Sequence, residues 1–133
     1  MTAQDIRYIQ IEMFRNEAQV LFLQVAQDGR FERAGSKNLR TPTETLVKSS
    51  LEKPAVSRIF DRVPADFNEL AGFYNDREAK GDKMGLSVLV QYSGGTATFQ
   101  MIYGSSSTGP TKDLKSLVIA ALNETEQQYT ALA

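Results

Sequence analysis

The sequence predicts an α+β fold: an antiparallel sheet of about five strands in the order β-β-β-α-α-β-β-α, with helices packed mainly on one face. Three observations carry this. Asp28-Gly29 separates two β-rich runs, Gly94-Gly95 separates two more, and the last twenty residues hold one long amphipathic helix. Hairpins imply antiparallel pairing, and a helix with a single apolar stripe must lie on a sheet or another helix. One domain, 1–133, is expected from the length.

In chain order, Ile6–Phe14 fits two templates. Ile9, Ile11 and Met13 alternate as in a strand, while Ile6, Ile9, Met13 and Phe14 also match a helical stripe. The β-branched content favours the strand, turned back at Asn16-Glu17. Strands follow at about 18–27 and 30–35, joined at Asp28-Gly29 by an expected type I′ turn with φ > 0 at both central residues. Ser36–Arg40 is a polar loop. Thr41-Pro42-Thr43-Glu44 has a cap residue, a proline at the first helical position and a glutamate at the third, which predicts a helix over 42–51 that ends towards Pro54.

Val56–Val63 shows no decisive pattern. Pro64–Gly72 predicts a short helix with Pro64 at its first position and Gly72 as its stop. Asp76–Gly85 is a polar loop. Leu86–Tyr92 and Thr96–Tyr103 form the second hairpin, with Ala97, Phe99, Met101 and Tyr103 on one face of the last strand. Val20–Val25 and Val88–Val90 are apolar on both faces, which places them mid-sheet and suggests cover on both sides, a second copy on one of them. In the final helix Leu114, Leu117, Val118, Ala121, Leu122, Thr125, Tyr129 and Leu132 make the stripe, with Thr108 as its cap.

Composition narrows function. The chain has no histidine and no cysteine. That removes the Ser-His-Asp triad, the thiolate nucleophile, the disulfide and the usual zinc ligands. Carboxylates, Lys, Tyr, Ser/Thr and Arg remain, and none forms a recognisable catalytic set. No catalytic residue, metal site or cofactor is therefore expected. A net charge of −1 lacks the basic excess of a nucleic-acid protein, so nucleic acid is not an expected partner. The N-terminus has neither the basic nor the apolar region of a secretory signal, no segment is apolar enough to span a bilayer, and a cytoplasmic location is expected.

One loop invites a ligand. Gly104-Ser105-Ser106-Ser107-Thr108-Gly109-Pro110-Thr111 has P-loop spacing, but Pro110 stands where the phosphate-binding Lys belongs and Lys112 comes two positions late. Nucleotide hydrolysis is set aside. A small anion held by Gly104, Ser105, Ser106, Ser107, Thr108, Gly109, Thr111 and Lys112 at a helix N-terminus survives as a second reading, against a plain surface turn. The basic stretch Arg30, Arg33, Lys37 and Arg40 reads as a solvated strand edge, and Asp66/Glu69, Asp76/Glu78 and Glu124/Glu126 read as surface acids. Phe73 and Tyr74, two adjacent aromatics past Gly72, cannot both face one core, so one is expected to meet a partner. The order of elements is similar to that of the small α+β secretion chaperones, acidic dimers of similar length, from which the N-terminal strand departs. The leading expectation is a non-catalytic protein–protein interaction module (chaperone, adaptor or immunity/inhibitor-type binder) with a protein partner and a homodimeric state.

Overall fold

The architecture was taken from a computed structural model, in which residues 5–133 are described. Seven strands form one sheet: β1 (Ile6–Arg15), β2 (Ala18–Ala26), β3 (Arg30–Ala34), β4 (Leu46–Ser50), β5 (Gly72–Asn75), β6 (Lys83–Tyr92) and β7 (Gly95–Gly104). Their order is β4-β3-β2-β1-β6-β7-β5, so the N-terminal strand is the centre of the sheet. All neighbours pair antiparallel except β5 and β7, which run parallel. Three helices complete the chain: α1 (Lys53–Phe60), α2 (Phe67–Leu70) and α3 (Lys112–Leu132).

The α+β class matches the expectation, with two strands more than the pattern suggested. Ile6–Arg15 is a strand and not a helix, because alternation there serves two neighbours at once. Ile9 pairs with Val25 on one side and Val90 on the other, and Ile11 with Leu23 and Val88. Each of these side chains is fully buried. A helical stripe would have left half of them in water.

The helix expected over 42–51 is instead a loop followed by β4. Leu46, Val47 and Leu51 are too few for an apolar stripe, whereas Val47 alternates with exposed neighbours and lies beside Arg33 on β3. The edge of β3 needed a partner, and that need outweighed the local Thr-Pro-Thr-Glu signal. The same signature, a proline just inside a helix start, recurs at Glu52-Lys53-Pro54, where α1 begins. Gly72 does end α2, and with φ of +143° it turns the chain into β5, so Phe73 and Tyr74 lie on a strand. The polar loop ends three residues before its expected limit of Gly85, since β6 starts at Lys83.

The turns also differ from expectation. The type I′ geometry belongs to Asn16-Glu17, with φ of 49° and 73° between the paired residues Arg15 and Ala18. At Asp28-Gly29 only the glycine is left-handed, with φ of +96°. Gly29 N donates to the Ala26 carbonyl at 2.9 Å, the arrangement of a turn followed by a bulge residue.

All three helices cover one face. Val25, Leu23 and Leu21 on β2, Ile9, Ile11 and Met13 on β1, and Val90, Val88 and Leu86 on β6 lie side by side and form the core with Phe31, Phe99, Ala55, Val56, Ile59 and Phe67. Leu114, Leu117, Val118, Ala121, Leu122 and Thr125 of α3 are buried, as its periodicity predicts, while Leu132 at the end of the stripe is exposed. The helix starts later than expected. Thr111, not Thr108, is the cap, its hydroxyl accepting from Leu114 N, because Gly109 with φ of +70° and the buried Pro110 still belong to the approach.

The α3–sheet contact has a charged centre. Arg33 on β3 is 0% exposed. It donates to the carbonyls of Gly35 and Leu122, to Thr125 Oγ1 and to Glu126 Oε1 at 2.8 Å, and its guanidinium stacks 4.3 Å from the centre of the Tyr129 ring. By contrast Arg58 and Glu124 join α1 to α3 on the surface. Glu126→Ala leaves the Arg33 charge buried without its counter-ion and should cost about 3 kcal/mol in a denaturant melt. Arg58→Ala should cost under about 1 kcal/mol, and Leu117→Ala about 2–5 kcal/mol. Equal midpoints for Glu126→Ala and Arg58→Ala would show that α3 is not held through Arg33.

Candidate interaction face

Because the helices lie on one side, the other side of the sheet is left uncovered among the described residues. The register orders it into cross-strand rows. One row runs Ala26, Tyr8, Gln91, Thr96; the next Gln24, Gln10, Leu89, Thr98; the next Phe22, Glu12, Ser87, Gln100; the last Gln19, Phe14, Gly85, Ile102. Of these side chains Glu12 alone is charged, in a protein that is 23% charged overall. Most are half-buried by their neighbours. Ordinary solvated sheet faces carry charges, whereas loss of charge and enrichment in aromatics mark the core of an interface.

Hydrogen bonds hold this surface in place. Gln10 Nε2 donates to Glu12 Oε1 at 2.8 Å and Gln19 Nε2 to Glu12 Oε2 at 3.1 Å. Thr43 Oγ1 in turn donates to Gln19 Oε1 at 3.1 Å, and Thr43 N to the Gln19 carbonyl at 2.9 Å. Glu12 is thus fixed by amides rather than by a cation. Beside it, Phe14 packs over Gly85, where the missing side chain opens a shallow hollow of about 200 Å³ bounded by Met84, Ile102 and the Glu17–Lys83 ion pair. Sequence reasoning noted the polar alternation of β7 but missed that Gln10 and Glu12, the even positions of β1, continue it. The available signal was the parity of Ile9, Ile11 and Met13.

Both adjacent aromatics are exposed, on opposite faces of β5. Tyr74 turns towards the helices, its ring 5.2 Å from Phe99 and its hydroxyl donating to the Leu70 carbonyl at 2.8 Å. Phe73, opposite Gln100 in the register, stays 62% exposed at the edge of the open face.

The Gly104–Lys112 loop is brought against residues 80–82. Ser105 N and Ser106 N donate to the carbonyls of Asp82 and Lys80, and Ser107 N to that of Gly104. The Ser105 and Ser107 hydroxyls accept from Asp82 N and Lys80 N. A side chain at Gly104 would collide with the Lys80 backbone. The donors an anion needs are largely engaged within the chain, and Lys115, rather than Lys112, reaches the loop, at the Thr108 carbonyl.

The remaining polar candidates disperse. Of the basic stretch, Arg30 pairs with Asp28 and Arg33 is buried under α3. Glu124 and Glu126 serve different arginines, and Asp76 accepts from Glu78 N. Burial pushes the Tyr92 and Tyr103 phenols up, away from use as bases near neutral pH. Among the described residues, no group of three or more acidic side chains could hold a metal ion. Comparison with known proteins gives no matching family model and no significantly similar curated sequence.

Asp82 ties the loop region to the sheet. Hydrogen bonds from Arg15 and Asn16 hold its carboxyl below the ordinary value, helped by the Arg15 charge. A depressed folded-state pKa means stability present above the unfolded value, about 3.9, and lost as pH falls through the folded one. Asp82→Asn should therefore flatten the decline in melting temperature below about pH 4. Gly104→Ala should lower the melting temperature at every pH, whereas Gly94→Ala, which meets open space, should leave it nearly unchanged.

Proposed function

We propose that the protein is a non-catalytic protein-binding module that works through the open face of its sheet. The observation that carries this reading is the combination, in the four rows that cross β2, β1, β6 and β7, of Tyr8, Phe14, Phe22, Leu89 and Ile102 with neutral Gln, Ser and Thr side chains and Glu12 as the one charge, the charged Arg30, Glu32 and Lys48 lying to one side on β3 and β4. Partner burial of these aromatic and aliphatic groups, each worth about 1.5–3 kcal/mol when fully removed from water, supplies the affinity. The rigid ladder below them keeps the ordering cost low. Phe73 extends the surface at the β5 edge. The alternative, an anion held by Gly104–Lys112, has fewer donors to draw on. Among the described residues no helix is long and apolar enough to cross a membrane; the proposal includes a cytoplasmic location.

The test compares the wild-type chain with Leu89→Lys on the open face and Ile119→Lys on the helix layer, each immobilised in its own cell extract. Ile119 is 57% exposed, so its change serves as the control. A stoichiometric partner recovered by wild type and Ile119→Lys, and lost by Leu89→Lys, is the expected result. Equal recovery by all three, or recovery by none, removes the reading.

A further inference from the structure

We infer that the occupant of the open face is a second copy of this chain, which makes the protein a two-fold dimer with two sheets packed face to face; the inference rests on the reading above that this face binds protein. Three observations favour the second copy over a different partner.

The first is charge. Across the whole face the charges are paired within the chain, Arg30 with Asp28, Lys48 with Glu32 and Lys83 with Glu17, which leaves Glu12 held by amides. A strongly acidic or basic partner finds no complement there, whereas an identical face meets no net repulsion. The Glu12 charge is spread into the hydrogen bonds of Gln10 and Gln19.

The second is area. The residues of the seven strands, at about 3.3 Å along and about 4.8 Å across each, give a whole sheet face of roughly 800 Å². A standard specific interface buries about 800 Å² on each partner. The third is shape. A flat pleated surface is complemented by another one about 10 Å away, with side chains of one sheet entering the spaces of the other. The hollow over Gly85 is such a space. A two-fold axis satisfies all three conditions with one surface, since both copies present the same patch.

Sedimentation equilibrium of the full chain across micromolar concentrations tests this. The expected mass is twice 14.8 kDa. Leu89→Lys and the gentler Thr98→Lys should each weaken self-association by about 30-fold or more, the scale of an interface hot spot, while Ile119→Lys should not. Circular dichroism melts confirm that each variant is folded, and if Leu89→Lys fails to fold, Thr98→Lys decides. A monomer at every concentration overturns the second copy; partner recovery that still depends on Leu89 would then leave the protein-binding reading standing. A dimer that resists both open-face changes and dissociates with Ile119→Lys places the contact on the helices and overturns both.

Discussion

A guanidinium shut off from water holds this fold in its one-sided form. Arg33 leaves β3 on the helix side and finds its partners on the far end of the chain, in Leu122, Thr125 and Glu126. An uncompensated charge cannot stay buried, so α3 has to cross the sheet at that point and with that face down. The apolar stripe alone would tolerate sliding by a turn, because Leu, Val and Ala repeat along it. The directional bonds to Arg33 do not. With α3 fixed, α1 is fixed beside it through Arg58 and Glu124, and the helix layer is complete on one side. The bareness of the other side is the same fact seen from behind.

That bareness has consequences for composition. Side chains at alternate positions of β1, β2, β6 and β7 face away from the helices, and there the chain uses glutamine, serine and threonine with five large apolar groups. Amides and hydroxyls can satisfy one another along a sheet, as Gln10, Glu12, Gln19 and Thr43 do, without the strong hydration that makes lysine and glutamate costly to cover. The pattern suits a surface that spends its working life against another surface.

The hairpins and the last helix were legible because their signals are local. Alternation in Thr96–Tyr103 and the stripe from Leu114 to Thr125 need no knowledge of the rest of the chain. β4 was not legible, since Leu46–Ser50 becomes a strand only through pairing with Arg30–Ala34, and its polar residues gave no alternation strong enough to oppose Pro42. β5 is four residues long and depends on β7. The burial of Arg33 was equally hidden, for nothing near it in sequence distinguishes it from Arg30, which is solvated. Of the candidate sites, adjacency on a strand put Phe73 and Tyr74 on opposite faces but did not show that both stay exposed, and the engagement of Ser105, Ser106 and Ser107 with residues 80–82 depends on a contact between two loops. The open face was half visible, in the even positions of β1, and became a surface only when the register aligned them.

The position of β1 at the centre of the sheet also shapes how the chain reaches this structure. β1 can pair with β2 as soon as Asn16-Glu17 turns, and β3 and β4 can follow in sequence order. Its other edge must wait for β6, where Ile11 meets Val88, and the helix that covers both follows later still in chain order. Until β6 and then α3 follow in chain order, the meander exposes one strand edge and the whole of its aliphatic side. Such long-range closure is slow compared with helix formation, and the exposed intermediate is the species most prone to pair with its neighbours. During synthesis, the period before β6 and α3 emerge is the one in which a chaperone matters most to this protein.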